Sequence, residues 1–215
     1  MLAGIDLSGR CALVTGASVG IGAETARAPA AAGAAVTITA RERSKGEAVA
    51  EQIRSAHDAD VEVRALELAE QASVRAFAKE FLADHAELHM LVNNAGMMRC
   101  PLMDTAEGWE LQFATNHLWH FLLTNRLAPA LLAGAPSRML SVSSSGHTAG
   151  NVDFDDIHFE RYDYNHWQGY GPSKTANVLF AVELDRRLHD LGVRAFSLHP
   201  GYSTSIRSEP TWVAT

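Results

Sequence analysis

The chain has 215 residues, 47% of them hydrophobic and 20% charged, a balance that supports a packed core and excludes a disordered chain. Its net charge of −7 lacks the basic footprint of a nucleic-acid binder. The two cysteines, Cys11 and Cys100, are too few for a disulfide framework and form no Cys-x-x-Cys site, which points to a reducing compartment.

No apolar run reaches the ~18 residues of a membrane-crossing helix, and the first ten residues lack the charged start and apolar middle of a signal peptide. The expectation is a soluble cytoplasmic protein with no membrane span, folded as one domain over residues 1–215.

In chain order, Cys11–Thr15 reads as a buried strand, followed by a glycine-rich turn and a helix to about Ala32. Ala35–Ala40 is the second strand. Ser44–His57 is helical, with Ser44 and Glu47 at the spacing of a capping box. Val61–Leu66 is the third strand, and Ser73–His85 a helix with Val74, Phe77 and Phe81 on one face. Met90–Val92 is the fourth strand, Thr105–Leu132 is mostly helical, and Arg138–Val142 is the fifth strand. Tyr170–Leu191 is a long helix and Val193–Leu198 the sixth strand. Strands alternating with helices predict an α/β fold, a Rossmann-type doubly wound parallel sheet in three layers. The irregular stretch, His147–Gln168, is polar and aromatic-rich and reads as a functional loop or lid.

Thr15-Gly16-Ala17-Ser18-Val19-Gly20-Ile21-Gly22 joins the first strand to the first helix. Gly16 suits a sharp turn, and Gly20 and Gly22 leave room for a pyrophosphate at the helix N-terminus, where free N–H groups and the helix dipole favour anions. At the end of the second strand no acid is present to hold ribose hydroxyls. Arg41 follows Ala40 instead, with Arg43 and Lys45 nearby, which favours the 2′-phosphate of NADP, NAD being the alternative.

Tyr170 and Lys174, at i and i+4, share a helix face, and a nearby ammonium lowers a phenol's pKa. The pair is a candidate proton donor and its tuner. Ser144 stands at the carboxyl end of the fifth strand, where ligands bind in doubly wound sheets, and Asn93-Asn94-Ala95-Gly96 closes the fourth strand at the same edge. Asn116 lies inside a helix, a poor place for asparagine.

These motifs, in this order and together with His199-Pro200-Gly201, resemble the short-chain dehydrogenase/reductase family over about Ser8 to Ser205. The insert from Ser145 to Asp156, Asn116-His117-Leu118 and Lys174-Thr175-Ala176-Asn177 resemble its retinol dehydrogenase-like branch. The resemblance implies hydride transfer between a nicotinamide and a carbonyl or alcohol of a small or lipophilic substrate. Tyr170 would pass the proton and Lys174 would bind the ribose and tune it. Ser144 would orient the substrate oxygen, with Ser143 and Ser145 as alternatives, and Asn116 would support a water relay. Cofactor contacts are implied for Gly16, Ser18, Val19, Gly20, Ile21, Gly22, Arg41, Glu67, Leu68, Asn94, Ala95, Gly96, Tyr170, Lys174, Pro200 and Gly201.

The chain departs from the family pattern in four places. It ends at Thr215, which implies that the final strand and C-terminal helices are missing and the sixth strand is uncovered. Pro29 falls within the first helix, Trp119 replaces a glycine, and Glu67 replaces an aspartate that helps place the adenine. A nucleotide-binding remnant or sensor without a complete substrate pocket is the alternative function. A homo-oligomer built through long helices is a further implication. His117 and His120 lack metal-site spacing and partners, so no metal is expected.

Overall fold

The computed structural model describes residues 4–201. Six strands, β1 (Cys11–Val14), β2 (Ala35–Ala40), β3 (Val61–Ala65), β4 (Met90–Asn93), β5 (Ser137–Val142) and β6 (Val193–Leu198), form one parallel sheet in the order β3-β2-β1-β4-β5-β6. The chain builds outward from β1 to β3, then returns to lay β4 beside β1. That reversal opens a crevice outside the carboxyl ends of β1 and β4.

Strand pleating divides the core into two layers. Ala12 and Val14 face Ala26 and Ala30 of α1 (Gly20–Ala31) and Ile53 of α2 (Arg43–His57). Leu13, Leu91 and Met139 face Phe77 and Phe81 of α3 (Gln71–Asp84), Leu123 and Leu127 of α5 (Trp119–Ala133) and Phe180 of α6 (His166–Leu188). Trp119 is a core residue in this second layer.

Four expectations change. Helix α2 starts at Arg43, so Ser44 lies inside its first turn and caps nothing. No side chain caps this helix; Lys45 instead pairs with Glu42, and Arg43 with Glu47. The helix expected from Thr105 begins at Leu111. A bridge between Asp104 and Glu110 and the bond from Thr105 N–H to the Trp109 carbonyl hold the preceding residues in a turn. From there α4 (Leu111–Phe113), a π-helical turn over Ala114–Leu118 and α5 run on with helical backbone at each junction.

Helix α6 begins four residues before Tyr170, because the Asn165 side chain accepts from Trp167 N–H. The irregular stretch is correspondingly shorter and starts with a 3-10 turn, Ser145–Ala149. Pro172 therefore lies in the second turn of α6 rather than at its start, with no N–H to offer the Gln168 carbonyl. Pro29 sits in the last turn of α1, where the Ala32 and Ala34 N–H groups fold back onto its carbonyl at 3.1 and 3.0 Å. It ends the helix rather than kinking it. Among the described residues β6 forms one sheet edge, with Phe196 and Leu198 partly exposed.

Candidate active site

The glycine-rich turn leaves β1 with Gly16 at φ +65° and enters α1 with Gly20 at φ +58°, both in the left-handed region that suits glycine. A Cβ on Gly16 would lie 2.8 Å from Ala95 Cα. Gly22 has a packing role of its own. A Cβ there would collide with the Gly16 carbonyl and the Asn94 amide, so this glycine packs helix against turn. Asn94 likewise directs its amide nitrogen to the carbonyls of Thr15 and Gly16, at 2.8 and 3.3 Å. The Thr39 carbonyl takes Ala17 N–H at 3.0 Å and ties the turn to β2.

The N-terminus of α1 fits a phosphate group. Its cap residue, Val19, supplies no side-chain hydrogen bond, and its first turn holds no acid. Among the described residues, the first N–H groups there, at Gly20 and Ile21, thus have no side-chain partner competing with an anion. Ser18 lies half-buried in the same turn. Pro200 borders an open hollow of about 800 Å³ that also touches Val19, Gly20 and Ile21. Gly201, at φ +84°, follows it. Arg41 is exposed just beyond β2 and, unlike Arg43 and Lys45, pairs with no carboxylate among the described residues. The Glu67 carboxylate turns back to accept Ala69 N–H at 2.8 Å, and Leu68 is buried beside it.

The residues expected to act on substrate converge at the ends of β4 and β5 and on α6. The Ser144 hydroxyl accepts Gly146 N–H at 3.1 Å, capping the 3-10 turn, and Gly146 also adjoins the Tyr170 ring. Ser143 is instead buried and donates to the Lys174 carbonyl at 2.8 Å. Gly146 was not singled out from sequence, yet a Cβ there would lie 2.9 Å from the Tyr170 ring, so the bare backbone gives the ring its slot. Trp167 meets the same ring edge-on, at 6.4 Å between centroids.

Lys174 is buried, and Gly96 makes room for it: a Cβ on Gly96 would lie 3.3 Å from Nζ and 3.1 Å from Asn116 Oδ1. Lys174 Nζ donates to the Val142 carbonyl at 3.0 Å, and Asn177 Nδ2 donates to the same oxygen at 3.3 Å. Burial lowers the lysine's pKa to about 8. Tyr170 moves the other way. Burial raises its pKa, and the Ser144 hydroxyl only partly opposes this. The expected lowering of the phenol by Lys174 is thus not what this geometry gives, because the ammonium is held at the carbonyl and stands 5.6 Å from the ring centre.

Asn116 lies in the π-helical turn, a feature that recurs at functional sites. Its side chain clasps the Met97 backbone, accepting N–H at 2.8 Å and donating to the carbonyl at 3.0 Å. It also donates to Ser173 Oγ at 3.0 Å. The asparagine thus joins the segment after β4 to the helix that carries Tyr170 and Lys174. His117 and His120 face different partners, Asn177 and Thr15.

Beside α6 lies a cavity of about 240 Å³, lined by Phe113, Val152, Ile157, Phe159, Gly169 and others, but not by Ser144 or Tyr170. Phe159 in its lining packs edge-on against Tyr164, whose hydroxyl accepts from Gln112 and lies 3.1 Å from the Cys100 carbonyl and 3.3 Å from Glu110 Oε1. Glu110 is fully buried and caps α4 through Gln112 and Phe113 N–H, and desolvation raises its pKa. No sequence motif marks this cluster. No helix among the described residues is long and apolar enough to cross a membrane.

The family model for short chain dehydrogenases matches residues 10–211. Mouse retinol dehydrogenase 11 is 45% identical over 208 residues, covering 96% of this chain and 65% of that protein, so the chain spans slightly less than two thirds of that relative's length. A crystal structure of an uncharacterised Mycobacterium paratuberculosis protein superposes with a TM-score of 0.83 at 41% identity, covering 93% of this chain and 70% of that one. A metagenomic short-chain oxidoreductase in complex with NADP gives a TM-score of 0.75 at 32% identity, covering 91% and 84%. With the reversed sheet order, the glycine turn and the Ser144–Tyr170–Lys174 grouping all in place, the chain belongs to the short-chain dehydrogenase family.

Proposed function

We propose that this chain carries the nucleotide site and proton-transfer residues of an NADP-dependent oxidoreductase acting on a carbonyl or alcohol of a small or lipophilic molecule. The observation that carries the reading is the grouping of Ser144, at the end of β5, with a half-buried Tyr170 and a buried Lys174 on α6 at the carboxyl edge of the sheet. When bound, the nicotinamide supplies or accepts the hydride.

The residues divide the remaining work. Ser144 offers a hydroxyl to the substrate oxygen. Tyr170, kept neutral by burial, donates its proton to that oxygen as negative charge develops there. Lys174, its ammonium held at the Val142 carbonyl, would bind the ribose of the dinucleotide. The uncapped N-terminus of α1 would hold the pyrophosphate, and Arg41 the 2′-phosphate. Two comparisons support this reading: the solved relative in complex with NADP and the dehydrogenase names of the curated relatives.

The test is fluorescence titration with NADPH and NADH, followed by a panel of medium-chain aldehydes and ketones. Tighter NADPH binding and NADPH oxidation on carbonyl addition would support the reading. Binding without turnover of any carbonyl would favour the nucleotide-binding remnant.

A further inference from the structure

A polar path runs through the interior behind the site. Thr15 Oγ1, at the end of β1, accepts the backbone N–H groups of Asn94 and Ala95 at 2.9 and 3.0 Å. It lies 2.9 Å from His120 Nε2, and the other ring nitrogen, Nδ1, is 3.2 Å from the Asn116 carbonyl. His120 is 2% exposed.

The tautomer follows from donor and acceptor chemistry. A carbonyl only accepts, so Nδ1 carries a proton. Burial keeps the ring neutral, with its pKa pushed down to about 3, so Nε2 is bare. Thr15 must then donate its hydroxyl proton to Nε2, while its two lone pairs take the N–H groups of Asn94 and Ala95. Beyond Asn116 the path continues. Its amide donates to Ser173 Oγ at 3.0 Å, and that hydroxyl donates to the Tyr170 carbonyl at 2.7 Å.

We propose that His120 is a positioning residue, whose Nδ1–H tautomer joins the floor of the dinucleotide turn to Asn116 and, through Ser173, to the backbone of Tyr170. The ring touches none of Ser144, the Tyr170 phenol or Lys174 Nζ in hydrogen-bond contact; it acts through the residues that hold them. The inference rests on Tyr170 being the proton donor of the proposed reaction. Its location explains why an imidazole is needed. The site requires one donor and one acceptor on opposite sides of a flat, buried ring.

The test compares His120→Phe, which keeps a ring without nitrogens, with His120→Gln, which offers one donor and one acceptor. Loss of a buried hydrogen bond should lower kcat of carbonyl reduction about tenfold in H120F. NADPH affinity should change less than about threefold, because Thr15 keeps both N–H groups and can turn its proton to the Val92 carbonyl, 3.4 Å away. H120Q should recover most of kcat. An undiminished kcat in H120F, or a loss that H120Q fails to reverse, overturns the proposal.

Imidazole 15N shifts of the wild-type protein decide the matter if H120F does not fold, with the His120 signal identified by its absence in H120Q. A protonated Nδ1 and bare Nε2 at neutral pH support the proposal, and the opposite tautomer overturns it. Failure of the functional reading is separately visible: a wild-type protein that reduces no carbonyl refutes the reaction, while the tautomer still decides the path.

Discussion

Lys174 Nζ stands 5.6 Å from the centre of the Tyr170 ring and bonds to the Val142 carbonyl, not to the phenol. The two groups are therefore perturbed in opposite directions by the same burial, the lysine downward and the tyrosine upward. A neutral phenol beside an ammonium is arranged to give up a proton to a developing alkoxide.

Tyr170→Phe should lower kcat for carbonyl reduction by about 10²–10⁴-fold, the usual worth of a positioned acid. The ring stays in its Gly146 slot, so NADPH affinity should hold within about threefold. Steady-state rates from NADPH absorbance and a fluorescence titration check the two halves. Retained turnover would remove Tyr170 from its role.

The pH profile should follow Lys174. Its pKa of about 8 means that the ammonium is present below that pH and lost above it, so reduction should be level through neutral pH and decline beyond about 8. Stability should behave differently. Between about 8 and the unfolded value of 10.5, the unfolded chain holds a proton that the folded chain does not, so stability should rise with pH across that window. Lys174→Met should flatten that rise in thermal melts recorded from pH 8 to 10.

Arg41→Ser should weaken NADPH binding about tenfold or more, the worth of a charge-assisted hydrogen bond, and leave NADH binding unchanged. Arg43→Ser should do little, because that guanidinium is exposed and paired with Glu47. Equal loss for both nucleotides in Arg41→Ser would place Arg41 away from the 2′-phosphate.

Gly22→Ala should destabilise the fold by about 1–3 kcal/mol, since the added methyl has only backbone and the Asn94 amide to push against. Urea unfolding of wild type and variant measures it. A neutral result would mean that α1 can move away from the turn.

The doubly wound parallel sheet in three layers was legible because buried strands and amphipathic helices carry distinct periods; Phe77 and Phe81 face the core as their spacing required. The grouping of Ser144, Tyr170 and Lys174 was legible from motif order. Helix starts were not. The start of α6 depends on the Asn165 side chain, and that of α4 on a carboxylate, Glu110, that burial hides among ordinary turn residues. The packing of Gly22 against the Gly16 carbonyl was not legible, because a glycine that admits a ligand and one that admits a neighbouring carbonyl look the same in sequence. The π-helical turn under Asn116 left no sequence mark apart from the asparagine itself.

The Val142 carbonyl, shared by Lys174 and Asn177, has a consequence for motion. A buried acceptor abandoned by its only donor costs about 1–3 kcal/mol. Here the asparagine stays when the lysine departs, so the oxygen is never orphaned. The ammonium is moored rather than locked: were it to leave that oxygen, strand β5 and helix α6 would remain tied together by the line that Asn177 keeps.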